Sequence, residues 1–164
     1  LSRQDIHSSE VMGADTVKLC EMQGFSPRLE NDRQSRVEAN IYGFKAEFAV
    51  ARLLGADLPT VNVVSDGGVD AWVDDISIDV KFNNAEFGKL IFDNMDKFKA
   101  QVAVLVGKTA DPAVMRVNGW VGRKTFMEKS VSHNFGYGDR LVMNDSDLYS
   151  IETLWRKLAE KRFS

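Results

Sequence analysis

The clearest hydrophobic pattern in the chain is an alternation over residues 69–82. In its second half every other residue is apolar: Ile76, Ile78, Val80 and Phe82. A period of two is typical of a β-strand that turns one face to the core. The first half alternates in the same way, and Asp74-Asp75 between the halves predicts a two-residue hairpin turn. We therefore expect two antiparallel strands in which Val73 pairs with Ile76.

The polar positions of this hairpin form a candidate site. The expected register places Asp70 opposite Asp79, with Trp72 and Lys81 on the same face. Directly opposed like charges destabilise a sheet, so the two carboxylates need compensation. A divalent cation held between the two carboxylates is the simplest compensation, since magnesium and manganese prefer hard oxygen ligands. The alternative is a solvated hairpin whose outer face is simply polar.

A helical stripe precedes the hairpin. Its apolar residues recur at spacings of four and three: Val37, Ile41, Phe44, Phe48 and Ala51. This pattern predicts an amphipathic helix that ends at Gly55. Glu47 lies at the edge of the stripe, one turn after Gly43, where glycine favours close packing and a carboxylate would reach the margin of a sheet. Alternatively, Glu47 is a surface residue that forms a salt bridge with Lys45, Arg52 or a neighbouring residue.

The other segments predict a mixed sheet flanked by helices, an α/β fold. The expected elements are a helix over 6–23 broken by Gly24-Phe25-Ser26-Pro27, an extended piece at 89–92, a brief helix from a cap at Asp93 through Lys99, a buried strand at 102–107, a strand at 114–121, a helix at 123–129, a loop at 130–140 and a final helix at about 147–161 with Leu148, Ile151, Leu154, Trp155 and Leu158 on one face. We expect one domain over 1–164, with its core at about 36–125.

Composition and charge set the context for the candidate site. The chain has 164 residues and is 44% hydrophobic, which suits one domain with a sizeable core. A single cysteine cannot form an internal disulfide, and there is no apolar run of the roughly 18 residues that span a bilayer, so we expect a cytoplasmic protein without a membrane partner. Residues 1–80 hold 7 Lys and Arg against 14 Asp and Glu, whereas residues 81–164 hold 14 against 10. A polyanionic substrate would therefore be gripped by the second half.

Three motifs in this order resemble the PD-(D/E)XK nuclease superfamily. They are the helix over 43–55 that carries Glu47, the segment Gly67-Gly68-Val69-Asp70, and the segment Ile78-Asp79-Val80-Lys81. The resemblance covers roughly residues 36–125 and implies a restriction endonuclease-like mixed β-sheet flanked by helices. It further implies a metal-dependent deoxyribonuclease, closest to a phage or bacterial endonuclease of restriction, junction-resolving or homing type, that acts in the cytoplasm of a bacterial or phage-infected cell.

The same resemblance implies a role for each motif residue. Asp70, Asp79 and the carbonyl of Val80 would bind Mg²⁺ or Mn²⁺, which would hold a scissile phosphate oxygen and acidify a bound water. Lys81 would orient or help deprotonate that water and offset negative charge on the phosphate. Glu47 would hold a second metal or the first metal's water. The products would carry 5′-phosphate and 3′-hydroxyl ends.

Further residues are candidates for contact with DNA, the expected partner. They are Trp72, Arg123, Lys124, His133 and Arg140. For Trp72 the alternative is an aromatic covered by the neighbouring helix, and for 130–140 it is an ordinary surface loop. His7, Cys20 and His133 are too scattered to suggest a zinc site. A homodimer is compatible with the sequence.

Two other functions compete with the nuclease. The first is a non-catalytic nucleic-acid binding or assembly module that retains the nuclease fold. Such a module has no need of the paired carboxylates, so the intact set of Glu47, Asp70, Asp79 and Lys81 argues against it. The second is a two-carboxylate glycoside hydrolase. Its general acid needs a raised pKa, which an adjacent lysine would suppress.

Overall fold

The structure is a computed structural model that describes residues 1–22, 30–60 and 67–163. The predicted break at 24–27 lies outside these ranges. In chain order the described elements are α1 (Arg3–Met22), α2 (Glu30–Leu54), β1 (Ala71–Val73), β2 (Ile76–Asn83), β3 (Lys89–Phe92), a 3₁₀ turn (Met95–Lys97), β4 (Val102–Lys108), β5 (Met115–Gly122), α3 (Arg123–Lys129), β6 (Val131–Asn134), β7 (Asp139–Asn144), a second 3₁₀ turn (Asp145–Asp147) and α4 (Ile151–Phe163).

The larger sheet is mixed and has the strand order β1-β2-β4-β5. β1 and β2 form the predicted antiparallel hairpin, in which Val73 pairs with Ile76 across the turn at Asp74-Asp75. β4 runs parallel to β2, and β5 returns antiparallel to β4. The chain is therefore a mixed α/β protein whose sheet is flanked by helices, as the sequence predicts.

A smaller antiparallel sheet, of order β3-β7-β6, covers part of the larger one. It contains the most serious error in the predicted elements. Residues 130–140 were expected to form a loop, but they contribute β6, a turn and the start of β7. All four residues of β6 are exposed, so its sequence carries no alternation of buried and exposed positions to identify a strand.

The two faces of the larger sheet pack against different layers. One face meets α2 and α4 through a core that includes Ile78, Val80 and Val104. The other face meets β3, α3 and β7 through a second core that includes Ala103 and Leu105. Because β4 is covered on both faces, its sequence is continuously apolar, as expected of a buried central strand.

The long helices largely follow the sequence pattern. α2 ends at Leu54 and is followed by Gly55, whose φ of +71° is the left-handed conformation expected after a helix end. α1 packs on α2, where Arg52 donates to the buried Asp5 at 2.9 Å. None of the helices in the described ranges is long and apolar enough to span a bilayer.

Smaller predictions were wrong at helix ends. Asn94, and not Asp93, caps the 3₁₀ turn, because the Asn94 side chain accepts from the Asp96 N–H at 3.0 Å. α4 begins at Ile151 and not near residue 147. Trp155 is 57% exposed, so it does not share the buried face formed by Leu154 and Leu158.

Candidate catalytic site and adjoining clefts

Asp79 lies in the middle of β2 and is buried. Asp79 is 1% exposed, and the strand register places it beside Ala103 of β4, on the face covered by the second core. The Lys81 Nζ lies 2.7 Å from the Asp79 Oδ1 and also sits 5.1 Å from the centre of the Phe92 ring. The alternative of a solvated polar face is therefore wrong for Asp79, whose carboxylate is enclosed with an ammonium group beside it.

Asp70 joins this site through the backbone of β2. Regular pairing of the hairpin ends at Ala71 and Ile78, one pair short of the expected pairing of Asp70 with Asp79. The Asp70 N–H donates to the Ile78 carbonyl at 2.8 Å, and the Asp70 carboxylate accepts from the Val80 N–H at 2.6 Å. Since N–H and C=O of one strand residue point to the same neighbour, the Val80 carbonyl also faces the Asp70 side.

These contacts change the argument for a cation. The sequence suggested that a metal was needed to offset repulsion between Asp70 and Asp79. In the structure Lys81 lies against Asp79, and the Val80 N–H donates to Asp70. Protein groups thus already stabilise both carboxylates, and repulsion alone no longer argues for a metal.

Glu47 and Asp70 line one cleft, which we call the acidic cleft, of about 130 Å³. Its lining residues are Glu47, Asp57, Leu58, Pro59, Thr60, Val69, Asp70, Ala71 and Trp72. Asp57 is a carboxylate that the sequence reasoning missed, because it lies in a segment without periodic pattern after α2. Trp72 is 57% exposed and forms an outer wall, so the expected cover by a helix is wrong.

Glu47 lies at its predicted position on α2, and the structure gives separate contacts for two of the surface partners considered for it. The two proposed surface partners have other contacts: Lys45 donates to the Pro112 carbonyl at 3.1 Å, and Arg52 pairs with Asp5. Within the part of the chain that the structure describes, a Cβ at Gly43 would meet nothing within 4 Å, so these residues do not provide the expected close packing at this glycine. Glu47 is half-buried on α2 at the margin of the sheet, as predicted.

A second cleft, the basic cleft, adjoins the segment that leads into Asp70. It measures about 400 Å³, and its lining residues are Gly67, Gly68, Lys81, Ile91, Phe92, Asp93, Lys97 and Lys99. The sequence reasoning missed Lys97 and Lys99, which it placed on a brief helix without a role. Their spacing around the apolar Phe98 was the available signal, because a buried residue between two lysines turns both toward solvent.

The predicted DNA contacts fall in different places. Arg123 donates from Nε to the Phe98 carbonyl at 2.6 Å, and Arg140 Nε lies 3.1 Å from Oδ1 of Asp93. Arg140 therefore adjoins the basic cleft, whereas Arg123 holds the segment that forms one of its walls. Lys124 is exposed on α3, and His133 lines a separate cleft with Lys89 and Lys129. Trp72 lies on the acidic cleft.

The groups that could hold a metal ion here are oxygen donors. Within residues 1–22, 30–60 and 67–163, no three His, Cys, Asp or Glu side chains are grouped to hold a metal ion. Two carboxylates and the Val80 carbonyl are nevertheless hard oxygen donors. Mg²⁺ is commonly bound by one or two carboxylates together with water and substrate phosphate. In donor type, these residues therefore suit a site that substrate completes, rather than a cage built from protein groups alone.

Comparison with protein-family models, with curated proteins and with solved structures gives no match for this chain. The arrangement of its own side chains is therefore the basis for any functional assignment.

Proposed function

We propose that the protein is a metal-dependent deoxyribonuclease that hydrolyses phosphodiester bonds within DNA. The observation that carries the proposal is the buried Asp79, with Lys81 beside it and the Asp70 carboxylate bound to the intervening residue. A buried carboxylate costs desolvation energy, and an apolar residue would serve stability equally well or better. Charged groups buried next to a cleft are candidates for chemistry.

The layout of the elements supports the finer part of the proposal, a restriction endonuclease-like fold. α2 carries Glu47 along one face of the mixed sheet, the hairpin carries Asp70 and Asp79, and a buried strand runs parallel to β2. This is the order in which the resembling superfamily carries its motifs. Glu47 and Asp70 line the same cleft, and this proximity supports a shared role for the two carboxylates.

The residues divide the chemistry between them. Asp70, Asp79 and the Val80 carbonyl would hold Mg²⁺ or Mn²⁺, and the metal would supply Lewis acidity at the phosphate and a more acidic bound water. Glu47 would accept a hydrogen bond from a water in the acidic cleft. Lys81 is positioned at the basic cleft, where its ammonium group would orient the attacking water and stabilise negative charge on the phosphate oxygens.

The hydrolysis balances without any further reactant. The oxygen of water forms a bond to phosphorus, and the bond between phosphorus and the 3′ oxygen breaks. A base in the site or the solvent accepts one proton from the attacking water, and the 3′ oxygen takes up a proton. The products are then a 5′-phosphate and a 3′-hydroxyl, as the superfamily resemblance implies.

Nicking of supercoiled plasmid tests the proposal directly. We expect Mg²⁺- or Mn²⁺-dependent nicking by the wild type and a loss of at least about 100-fold in Asp79→Asn and Asp70→Asn, since each removes a charged ligand. In Asp70→Asn the oxygen of the new side-chain amide would still accept from the Val80 N–H, so this variant keeps its structural hydrogen bond. A linear duplex with blocked ends separates cleavage within the strand from cleavage at its ends.

The matched control is Asp75→Asn, the same substitution on the exposed turn of the same hairpin. It should nick as well as the wild type. Circular dichroism melting of each variant shows whether a loss of nicking reflects unfolding. Full nicking by folded Asp79→Asn, or nicking that is insensitive to EDTA, would overturn the assignment.

A non-catalytic DNA-binding module is the second candidate. It is favoured by the proximity of Lys81 to Asp79, which stabilises the buried carboxylate without a metal. One measurement, the fate of supercoiled plasmid, distinguishes the two functions. A module binds DNA and leaves plasmid intact at every metal concentration, whereas the nuclease converts it to open circles.

A further inference from the structure

The segment that carries Lys97 and Lys99 is held firmly against the protein. Phe98 between them is fully buried, and its ring stacks on Phe92 with centroids 4.5 Å apart. The Phe98 carbonyl accepts from Arg123 Nε at 2.6 Å. The backbone is thus fixed from both the core and the surface, while both lysine side chains are exposed to solvent in the basic cleft.

This segment also lies directly against the approach to Asp70. Gly68 precedes Asp70 by two residues and has a φ of +83°. A Cβ placed on Gly68 would lie 3.7 Å from both the Lys97 carbonyl oxygen and the Lys99 Cδ. The left-handed conformation favours glycine at this corner. The lysines and the Asp70 carboxylate are therefore placed by adjacent backbone segments rather than by separate mobile loops.

The charge of the basic cleft suits a chain of phosphates. Among its described lining residues, Lys81, Lys97 and Lys99 face a single carboxylate, Asp93. Arg140 forms an ion pair with that carboxylate, with its Nε 3.1 Å from Oδ1 of Asp93. An exposed ion pair of this kind is weak, so a phosphate group would compete with Asp93 for the guanidinium.

We propose that the basic cleft binds the DNA backbone next to the scissile phosphate, with Lys97 and Lys99 holding flanking phosphates and Asp93 limiting the affinity. The proposal rests on the proposed function, because the position of the scissile phosphate is taken from Asp70, Asp79 and Lys81. It identifies Lys97 and Lys99 as positioning residues. The basic cleft is expected to recognise the phosphate backbone and not a particular base sequence.

Binding of a short fluorescein-labelled DNA duplex in EDTA, measured by fluorescence anisotropy across a salt series, tests the proposal without cleavage. Each of Lys97→Gln and Lys99→Gln should weaken binding about fivefold at about 0.1 M salt and lower the salt slope by about one, as expected for one lost phosphate contact. The double variant should lose about 25-fold if the two contacts are independent.

Two further variants sharpen the test. Asp93→Asn removes the competing carboxylate, so it should tighten binding about threefold or more, the opposite direction from the lysine variants. Lys157→Gln is the matched control. It is an exposed lysine on α4, which packs on the opposite face of the larger sheet, and its loss should leave affinity and salt slope unchanged.

Nicking assays on the same preparations separate this proposal from the proposed function. With the nuclease active, the lysine variants should raise KM about fivefold and leave kcat nearly unchanged, since a flanking phosphate is bound equally in ground and transition states. Absent nicking with the predicted binding changes would overturn the nuclease and support the cleft. Active nicking with unchanged binding and KM in the double lysine variant would overturn the cleft alone. A wild type that does not bind DNA in EDTA would overturn it as well.

Discussion

Two carboxylates of the same hairpin pair with lysines in contrasting surroundings. Asp79 and Lys81 lie within β2, with side chains 1% and 38% exposed. Asp75 lies in the turn and pairs with Lys161 of α4, with side chains 70% and 51% exposed. The two pairs use the same chemical groups, and their carboxylates lie close together in the sequence. Their surroundings differ because β3 and the second core cover one of them.

The comparison shows why a charge pattern alone does not identify a site. Water and salt screen the exposed pair, so Asp75 contributes little to stability and its charge does not act at a distance. Burial removes that screening from Asp79, so its charge strongly affects Lys81 and any ligand in the adjoining clefts. A site for chemistry on phosphate is expected at the buried pair and not at the turn.

The largest expected difference is in stability. Lys81→Ala leaves the buried Asp79 carboxylate without its ammonium group and should lower the free energy of unfolding by about 2–3 kcal/mol. Lys161→Ala removes the corresponding group from the exposed pair and should change stability very little. Urea denaturation of both variants checks the ranking. Equal losses in the two would mean that burial does not distinguish the pairs.

A smaller effect is expected from metal. At a tenfold excess over its dissociation constant, Mg²⁺ or Mn²⁺ should stabilise the wild type by about 1.4 kcal/mol, because it binds only the folded site. Asp79→Asn should respond much less, and Asp75→Asn should respond like the wild type. Thermal melting across a metal titration measures all three. The same response in Asp79→Asn as in the wild type would exclude Asp79 as a ligand.

The smallest effect concerns the titration of the exposed pair. The hydrogen bond from Lys161 holds the pKa of Asp75 below its ordinary value of 3.8, with slight burial opposing it. A lowered folded-state pKa means that the pair's contribution is present above about pH 4 and is lost as pH falls through that pKa. A carboxyl-carbon NMR titration should show the lowered pKa of Asp75 in the wild type and a higher pKa in Lys161→Met. No difference between the two proteins would contradict the pairing.

Much of the fold was predictable because its signals are local. The stripe of α2 and its end at Gly55, the register of Val73 with Ile76, and the buried strand at 102–107 each follow from residues that are close in sequence. β6 was not predictable, because its exposed residues form a strand through pairing with β7 and not through an apolar face of their own.

The candidate site divides in a similar way. Periodicity placed Asp79 and Lys81 on one face of a strand, and composition showed that the second half of the chain is basic. The burial of Asp79, in contrast, depends on a second layer whose strands come from residues 89–92 and 131–144. The inference that repulsion between Asp70 and Asp79 requires a cation lost its basis for a related reason. The Val80 N–H and Lys81 stabilise the two carboxylates at close range.

The sequence by itself therefore determined which elements hold Glu47, Asp79 and Lys81, since strand and helix periods act over a few residues. Only the tertiary structure decided which charges are buried, that Glu47 and Asp70 line one cleft, and that Lys97 and Lys99 join Lys81 in another. The physical reason is that burial and cleft formation depend on the packing of distant segments, and the pattern within one segment does not record which other segment will cover it.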